Sequence, residues 1–181
     1  MSLRAIHLLG SPVLRQRADD VHEVDDEIRT LVEDLFETMA ADHGIGLAAN
    51  QVGVARRVAV VQTEGEEPVI LIDPVILDRE GSARGEEGCL SIPEIFADVD
   101  RARRVVVETT TLDNRRITIE ATDLRARVIQ HEMDHLDGIL FIDHVSPLKR
   151  RMLTKKWKKQ REGTTGYTKD VAPLPGSTAR G

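Results

Sequence analysis

The chain holds one cysteine, Cys89, in 181 residues, so no disulfide can close within it. No apolar run approaches the length of a membrane-spanning helix. The first residues lack the uninterrupted apolar core of a signal peptide, because Pro12, Arg15 and Arg17 break up the patch at 6–9. With neither a cysteine pair nor a signal segment, a reducing cytoplasm is the expected compartment. No internal repeat is present either, which removes the stacked-repeat architectures.

What remains is a chain of ordinary single-domain size with an uneven charge. Residues 149–162 carry eight basic side chains and one acidic, and residues 163–181 carry two and one. The net charge of −6 therefore leaves −14 on residues 1–148. An acidic body with a basic appendage is expected: a domain over 1–148, a basic helix over 149–162 and a flexible tail over 163–181. Gly163, Gly166, Pro173, Pro175 and Gly176 support that reading of the tail.

Apolar spacing places the main elements. Ile28, Leu31, Val32, Leu35, Phe36 and Met39 predict a helix from Asp25 or Asp26 to Asp42, with Gly44 suited to stopping it. Residues 58–62 and 69–72 read as strands. Residues 104–112 and 116–121 flank Asp113-Asn114-Arg115 as a hairpin. A second helix should start near Thr122 or Asp123 and stop at Gly138, burying Leu124, Val128, Ile129 and Leu136. The fold class is α+β, a central helix against antiparallel sheet.

That second helix carries His131-Glu132-Met133-Asp134-His135. Residues four apart share a helix face, so both imidazoles can reach one ion, with Glu132 beside the first. This is the H-E-x-x-H signature of metal-dependent hydrolases. A catalytic site of this kind takes a third protein ligand and leaves a position open for water. The longer metalloprotease pattern would require a histidine where Phe141 stands, and the one downstream glutamate is Glu162, in a lysine-rich stretch. Asp143 and His144 remain conceivable ligands.

Cys89 is the better candidate. A lone cysteine is ordinarily a small buried hydrophobe, but here it lies in Gly85-Glu86-Glu87-Gly88-Cys89-Leu90-Ser91-Ile92-Pro93, which reads as a fixed, irregular loop. A thiolate also suits a site with two imidazoles. A third segment, Gly44-Ile45-Gly46-Leu47-Ala48-Ala49-Asn50-Gln51, follows the first helix directly. Its small residues permit close backbone approach, and the Gln51 amide can donate to a developing negative charge. Its plainer reading is a helix end running into a buried turn.

In this order, Gly-Ile-Gly-Leu-Ala-Ala-Asn-Gln, Glu-Gly-Cys-Leu-Ser and Gln130-His-Glu-Met-Asp-His135 resemble the three signature segments of peptide deformylases. Gly10-Ser11-Pro12-Val13-Leu14-Arg15 and Ser146-Pro147-Leu148-Lys149 extend the resemblance over roughly residues 5 to 150. It implies a hydrolase that removes the formyl group from the N-terminal formylmethionine of new polypeptides, releasing formate. The metal would be held by Cys89, His131 and His135: ferrous iron in the cell, with zinc or nickel able to replace it. Glu132 would move the proton, while Gln51 and the Leu90 backbone N–H would stabilise the oxyanion. Ile45, Gly46, Gly88 and Arg101 would contact substrate, with Ile45 and the helix near Val128 walling an apolar methionine pocket.

The chain departs from several bacterial relatives at His43, where they have glutamate, and at Arg127, where some have an apolar residue. The Arg127 stem is expected to pack on substrate while its charge reaches water. In some relatives a C-terminal helix docks on ribosomal RNA, so the basic helix has that partner as one reading. A solvated end packed through Met152, Leu153 and Trp157 is the other. A zinc metalloendopeptidase with a different third ligand is the alternative enzyme, and a non-catalytic metal-stabilised binding module the alternative class.

Overall fold

The computed structural model describes residues 2–176. The strand β1 (Ile6–His7) leads through a 3-10 turn to α1 (Asp26–Ala41), whose buried stripe Ile28, Leu31, Val32, Leu35 and Met39 follows the helical period. The Asp25 side chain caps it by accepting from the Ile28 N–H at 2.9 Å. Its other end closes differently from expectation. The left-handed residue is His43 (φ 58°), and the Gly44 N–H reaches back to the Met39 carbonyl. Gly44 is thus one position past the residue that turns the chain.

Three short strands follow, β2 (Gly46–Ala48), β3 (Val58–Val61) and β4 (Val69–Ile72), paired antiparallel in the order 2-3-4. All four residues of β3 are buried because the sheet is covered on both faces. Val58 and Val60 pack with α1, whereas Ala59 and Val61 pack with the apolar face of α2 (Asp123–Leu136). Before that helix come β5 (Val75–Glu80), β6 (Ala83–Cys89), β7 (Ile92–Arg101), β8 (Arg104–Thr110) and β9 (Arg116–Thr122). β5, β8 and β9 form a second antiparallel sheet whose Val105, Val107 and Ala121 also pack on the α2 side.

β6 and β7 make a long hairpin closed at Leu90-Ser91, with Cys89 opposite Ile92. The segment read as an irregular loop is therefore mostly strand. Its charged residues hid a sheet pattern in which Ile92, Ile95, Ala97 and Val99 are buried. Beneath this hairpin lies α3 (Pro147–Gln160), capped by the Ser146 hydroxyl and packed through Leu153 and Trp157. Met152, expected beside them, is exposed.

The residues from 163 onward, expected to be flexible, return to the body: β10 (Thr168–Lys169) pairs with β1. Residues 177–181 of that expected tail lie outside the described residues. The predicted α2 boundaries hold, but Leu124 is 55 % exposed rather than buried. None of the described helices is long and apolar enough to cross a membrane.

Candidate metal centre and active site

α2 fixes both histidines because its C-terminal end is pinned from several sides. The Leu136 carbonyl accepts from the Ala18 N–H and from Arg57, and Asn50 donates to the His135 carbonyl. Gly138 (φ 74°) then turns the chain, and a side chain there would strike the Arg15 carbonyl at 2.7 Å. From this anchored turn, His131 Nε2 and His135 Nε2 lie 3.2 Å apart. Cys89 Sγ, brought in at the end of β6, lies 3.3 Å from His135 Nε2.

The three donor atoms all fall within 4.8 Å of one another, close enough to share one ion. Phe141, which occupies the position of a third metalloprotease histidine, instead stacks near the His131 ring at 6.1 Å. Asp143 is taken by Arg15 and Arg150, and His144 by Asp134. Glu162 is exposed on the stretch after α3.

Glu132 faces the same space. It is 3 % exposed, and its Oε2 has no hydrogen-bond partner among the described residues. Burial pushes its carboxyl up to about 7, against the opposing pull of His131. That range suits a group that accepts and returns a proton near neutral pH. Gly46 passes so close that a Cβ there would collide with the Glu132 carboxylate and lie 2.8 Å from Val128. Only glycine allows β2 and α2 to meet at this point. Burial also holds His135 well below the ordinary imidazole value, keeping the ring neutral, the form that can bind an ion.

Gln51 is held by its own carbonyl, which accepts from the Ala48 N–H at 2.9 Å. Its Nε2 then points at Ser91 Oγ (3.0 Å) and Cys89 Sγ (3.5 Å), the edge of the donor cluster. Leu90 sits on the hairpin turn beside Cys89 and, with Gly88, lines the same cleft. The cleft encloses about 500 Å³, with Ile45, Phe96, Leu124 and Val128 among its apolar walls. Three of these, Ile45, Phe96 and Leu124, are large apolar residues left exposed at one opening, the usual mark of a ligand site. Phe96 was not singled out from the sequence, and Leu124 was placed in the core. The cleft is what draws Leu124 outward.

Arg101 is not in this cleft. It lies behind the histidines, 7 % exposed, bound to Glu87 by two contacts at 2.8 and 2.9 Å and to Asp134 at 2.5 Å. Arg127 borders the cleft with its side chain 11 % exposed, and its guanidinium is engaged by protein groups. It meets Glu87 at 2.8 Å and the carbonyls of Ala83 and Val99. Glu87 joins both arginines to the metal helix, since its Oε1 lies 2.9 Å from His131 Nδ1. Burial alone would raise the Glu87 carboxyl, but hydrogen bonds from Arg101 and His131 hold it far below the usual carboxylate range. An ionised Glu87 favours the proton on His131 Nδ1, leaving Nε2 to face the donor cluster.

Sequence reasoning missed Glu87. The available signal was its position two residues before Cys89, although the β6–β7 register shifts between the two.

The polypeptide deformylase family model matches residues 3–151. The chain belongs to the polypeptide deformylase family. It is 48 % identical over 162 residues to a peptide deformylase of Alkalilimnicola ehrlichii, an alignment covering 88 % of this chain and 91 % of that one. A peptide deformylase structure from Legionella pneumophila superposes with a TM-score of 0.84 at 37 % identity, covering 89 % of this chain and 96 % of the other. One from Ehrlichia chaffeensis in complex with actinonin gives 0.83 at 38 % identity, covering 88 % and 98 %.

The deformylase family is metal-dependent. Its reaction, hydrolysis of the formyl group from N-formylmethionyl polypeptides with release of formate, is the activity of this chain. The endopeptidase alternative is not favoured. The donor set fits a divalent ion on its own terms: one thiol and two imidazoles converge, and a buried, unpaired carboxylate oxygen stands beside them.

Proposed function

We propose that Cys89, His131 and His135 hold the catalytic ion, that Glu132 carries the proton, and that Gln51 and the Leu90 backbone N–H stabilise the oxyanion. The observation carrying this reading is the convergence of the three donors, His135 Nε2 lying 3.2 Å from His131 Nε2 and 3.3 Å from Cys89 Sγ, beside a Glu132 oxygen unpaired among the described residues. A divalent ion bound there supplies Lewis acidity, lowering the pKa of water and polarising the formyl carbonyl.

The chain's own groups do the rest. Glu132 takes a proton from the attacking water and delivers it to the departing amine, using the oxygen left unpaired among the described residues. Gln51 Nε2, fixed by the Ala48 N–H contact, donates to the carbonyl oxygen as it becomes negative, and donors positioned in advance need little reorganisation. Ile45, Phe96, Leu124 and Val128 take the methionine side chain and exclude water from it. The backbone around Gly46 and Gly88 runs alongside the peptide. Ferrous iron is the ion in the cell, with zinc or nickel accepted by the same mixed donor set. Iron beside a thiolate makes the enzyme sensitive to oxidation.

Anaerobically purified, iron-loaded protein is expected to release formate from formyl-Met-Ala-Ser and to leave an internally cleavable peptide intact. Cleavage of the internal bond without formate would defeat the reading.

Newly made formylated chains put the enzyme at the cytoplasmic ribosome, and α3 is the surface that suits it. Lys155, Lys156, Lys158 and Lys159 are exposed, while Leu153 and Trp157 face the body. Removing the helix would expose those two side chains, losing roughly 1.5–3 kcal/mol for each, so point substitutions are the cleaner test. Changing the four lysines to glutamate is expected to weaken ribosome binding at low salt. It should also flatten the salt dependence by about one unit of slope for each phosphate that a lysine no longer neutralises. Co-sedimentation at several salt concentrations measures both, and unchanged binding would remove the ribosome from this surface.

A further inference from the structure

The family model matches residues 3–151, and the segment after α3 lies beyond that match. It turns at Gly163 and Gly166 (φ 78° and 76°) and comes back across the body. The Tyr167 carbonyl accepts from the Leu8 N–H at 2.7 Å, and its ring lies against Gly10, where no side chain would fit. The Arg161 guanidinium covers the same ring, 5.5 Å from its centre. β10 then sets Lys169 opposite Ile6.

This path ends at the active-site cleft. Lys169 is one of the residues lining it, and its Nζ meets both Asp42 oxygens at 2.7 and 2.8 Å. Asp42 and His43 form one rim with Lys169, and Glu86 and Glu94 stand exposed among the other lining residues. Arg127 also borders the cleft, but Glu87 and backbone carbonyls occupy its charge. Of the described lining residues, Lys169 is therefore the cation that answers the acidic rim, and it keeps 36 % of its side chain exposed.

We propose that Lys169, carried to the cleft mouth by the C-terminal arm, is a specificity-determining residue that sets the charge preference for substrate residues following the formylmethionine. The inference rests on the deformylase reading of the cleft. The formyl end must reach Glu132 at the bottom, so the residues after methionine pass the rim where Asp42, Glu86, Glu94 and Lys169 are displayed. Neutralising Asp42 keeps acidic nascent chains acceptable. Without Lys169 the rim carries one more uncompensated negative charge, which attracts basic peptides and repels acidic ones over about one Debye length.

The test compares kcat/KM for formyl-Met-Ala-Lys and formyl-Met-Ala-Glu. Lys169→Ala is expected to raise the basic-to-acidic ratio by roughly threefold to tenfold at low salt, an effect that shrinks near 1 M salt. Lys169→Arg should hold the starting ratio. Asp42→Asn should shift it the opposite way, and the double variant Lys169→Ala/Asp42→Asn should restore it because the summed rim charge is again the same.

A ratio unmoved in both single variants, with formate release intact, overturns the proposal. So does an equal loss on both peptides, which would make Lys169 an anchor of the arm. Should Lys169→Ala fail to fold, Asp42→Asn alone decides by the direction of its shift. Failure of the unaltered enzyme to release formate from either peptide would count against the deformylase reading instead.

Discussion

Glu132→Ala is expected to lower kcat for formate release by about 10²–10⁴-fold while the protein keeps its metal. In barrier height this is roughly 3–5 kcal/mol. The carboxylate is not one of the three clustered donors, so metal content measured by atomic absorption should match the unaltered protein. Stability should move little or rise. The Glu132 oxygen Oε2 is buried without a partner among the described residues, and burying an unpaired polar atom is unfavourable. Its removal relieves that cost while the side chain, which borders a cleft rather than the packed interior, leaves no closed cavity. A fold held slightly back to keep a proton carrier poised is a common exchange of stability for activity. Normal turnover in this variant would show that another group moves the proton.

Glu87→Ala is expected to do the reverse, striking the fold harder than the chemistry. One carboxylate compensates Arg101 and Arg127, whose side chains are 5 % and 11 % exposed, and also orients His131. Taking it away leaves Arg127 without its carboxylate and Arg101 with Asp134 alone, and breaking a buried pair from one side costs about 3–5 kcal/mol. For a chain of this length the melting temperature should fall by roughly 6–20 °C. His131 loses the partner that fixes its ring, so metal affinity should drop about 10–100-fold as well.

Because the Glu87 carboxyl is held below the usual carboxylate range, its stabilisation is full above the unfolded value. It is lost only as pH falls from there towards the depressed native value. Between pH 5 and 8 the Glu87 carboxylate therefore stays ionised, and the unaltered protein should melt above the variant throughout that range. Melting curves that coincide would mean that Glu87 is replaceable by solvent.

The contrast between these two glutamates shows what could be read from the chain. Glu132 is adjacent to His131 in a helix, so its place near the ion follows from local geometry alone. Glu87 reaches His131 across 44 positions, and only the pairing of β6 with β7 and the packing of that hairpin on α2 bring it there. Arg101 was expected to touch substrate for the same reason that Glu87 was missed. Its residue type and motif position were visible, but not which side of the hairpin it would occupy.

Local chemistry by itself determined much of this protein: the two helices whose apolar period is unambiguous, the strands at Val58–Val61 and Val69–Ile72, and the i, i+4 histidines with their acid. Those features depend on backbone periodicities that repeat every few residues. Tertiary structure alone decided that Cys89 meets them, that Leu124 faces a cleft, and that Arg127 is tied to Glu87. It also decided that residues 168–169 come back to the active site. Each of these depends on contacts between segments far apart in the chain, for which no local period exists.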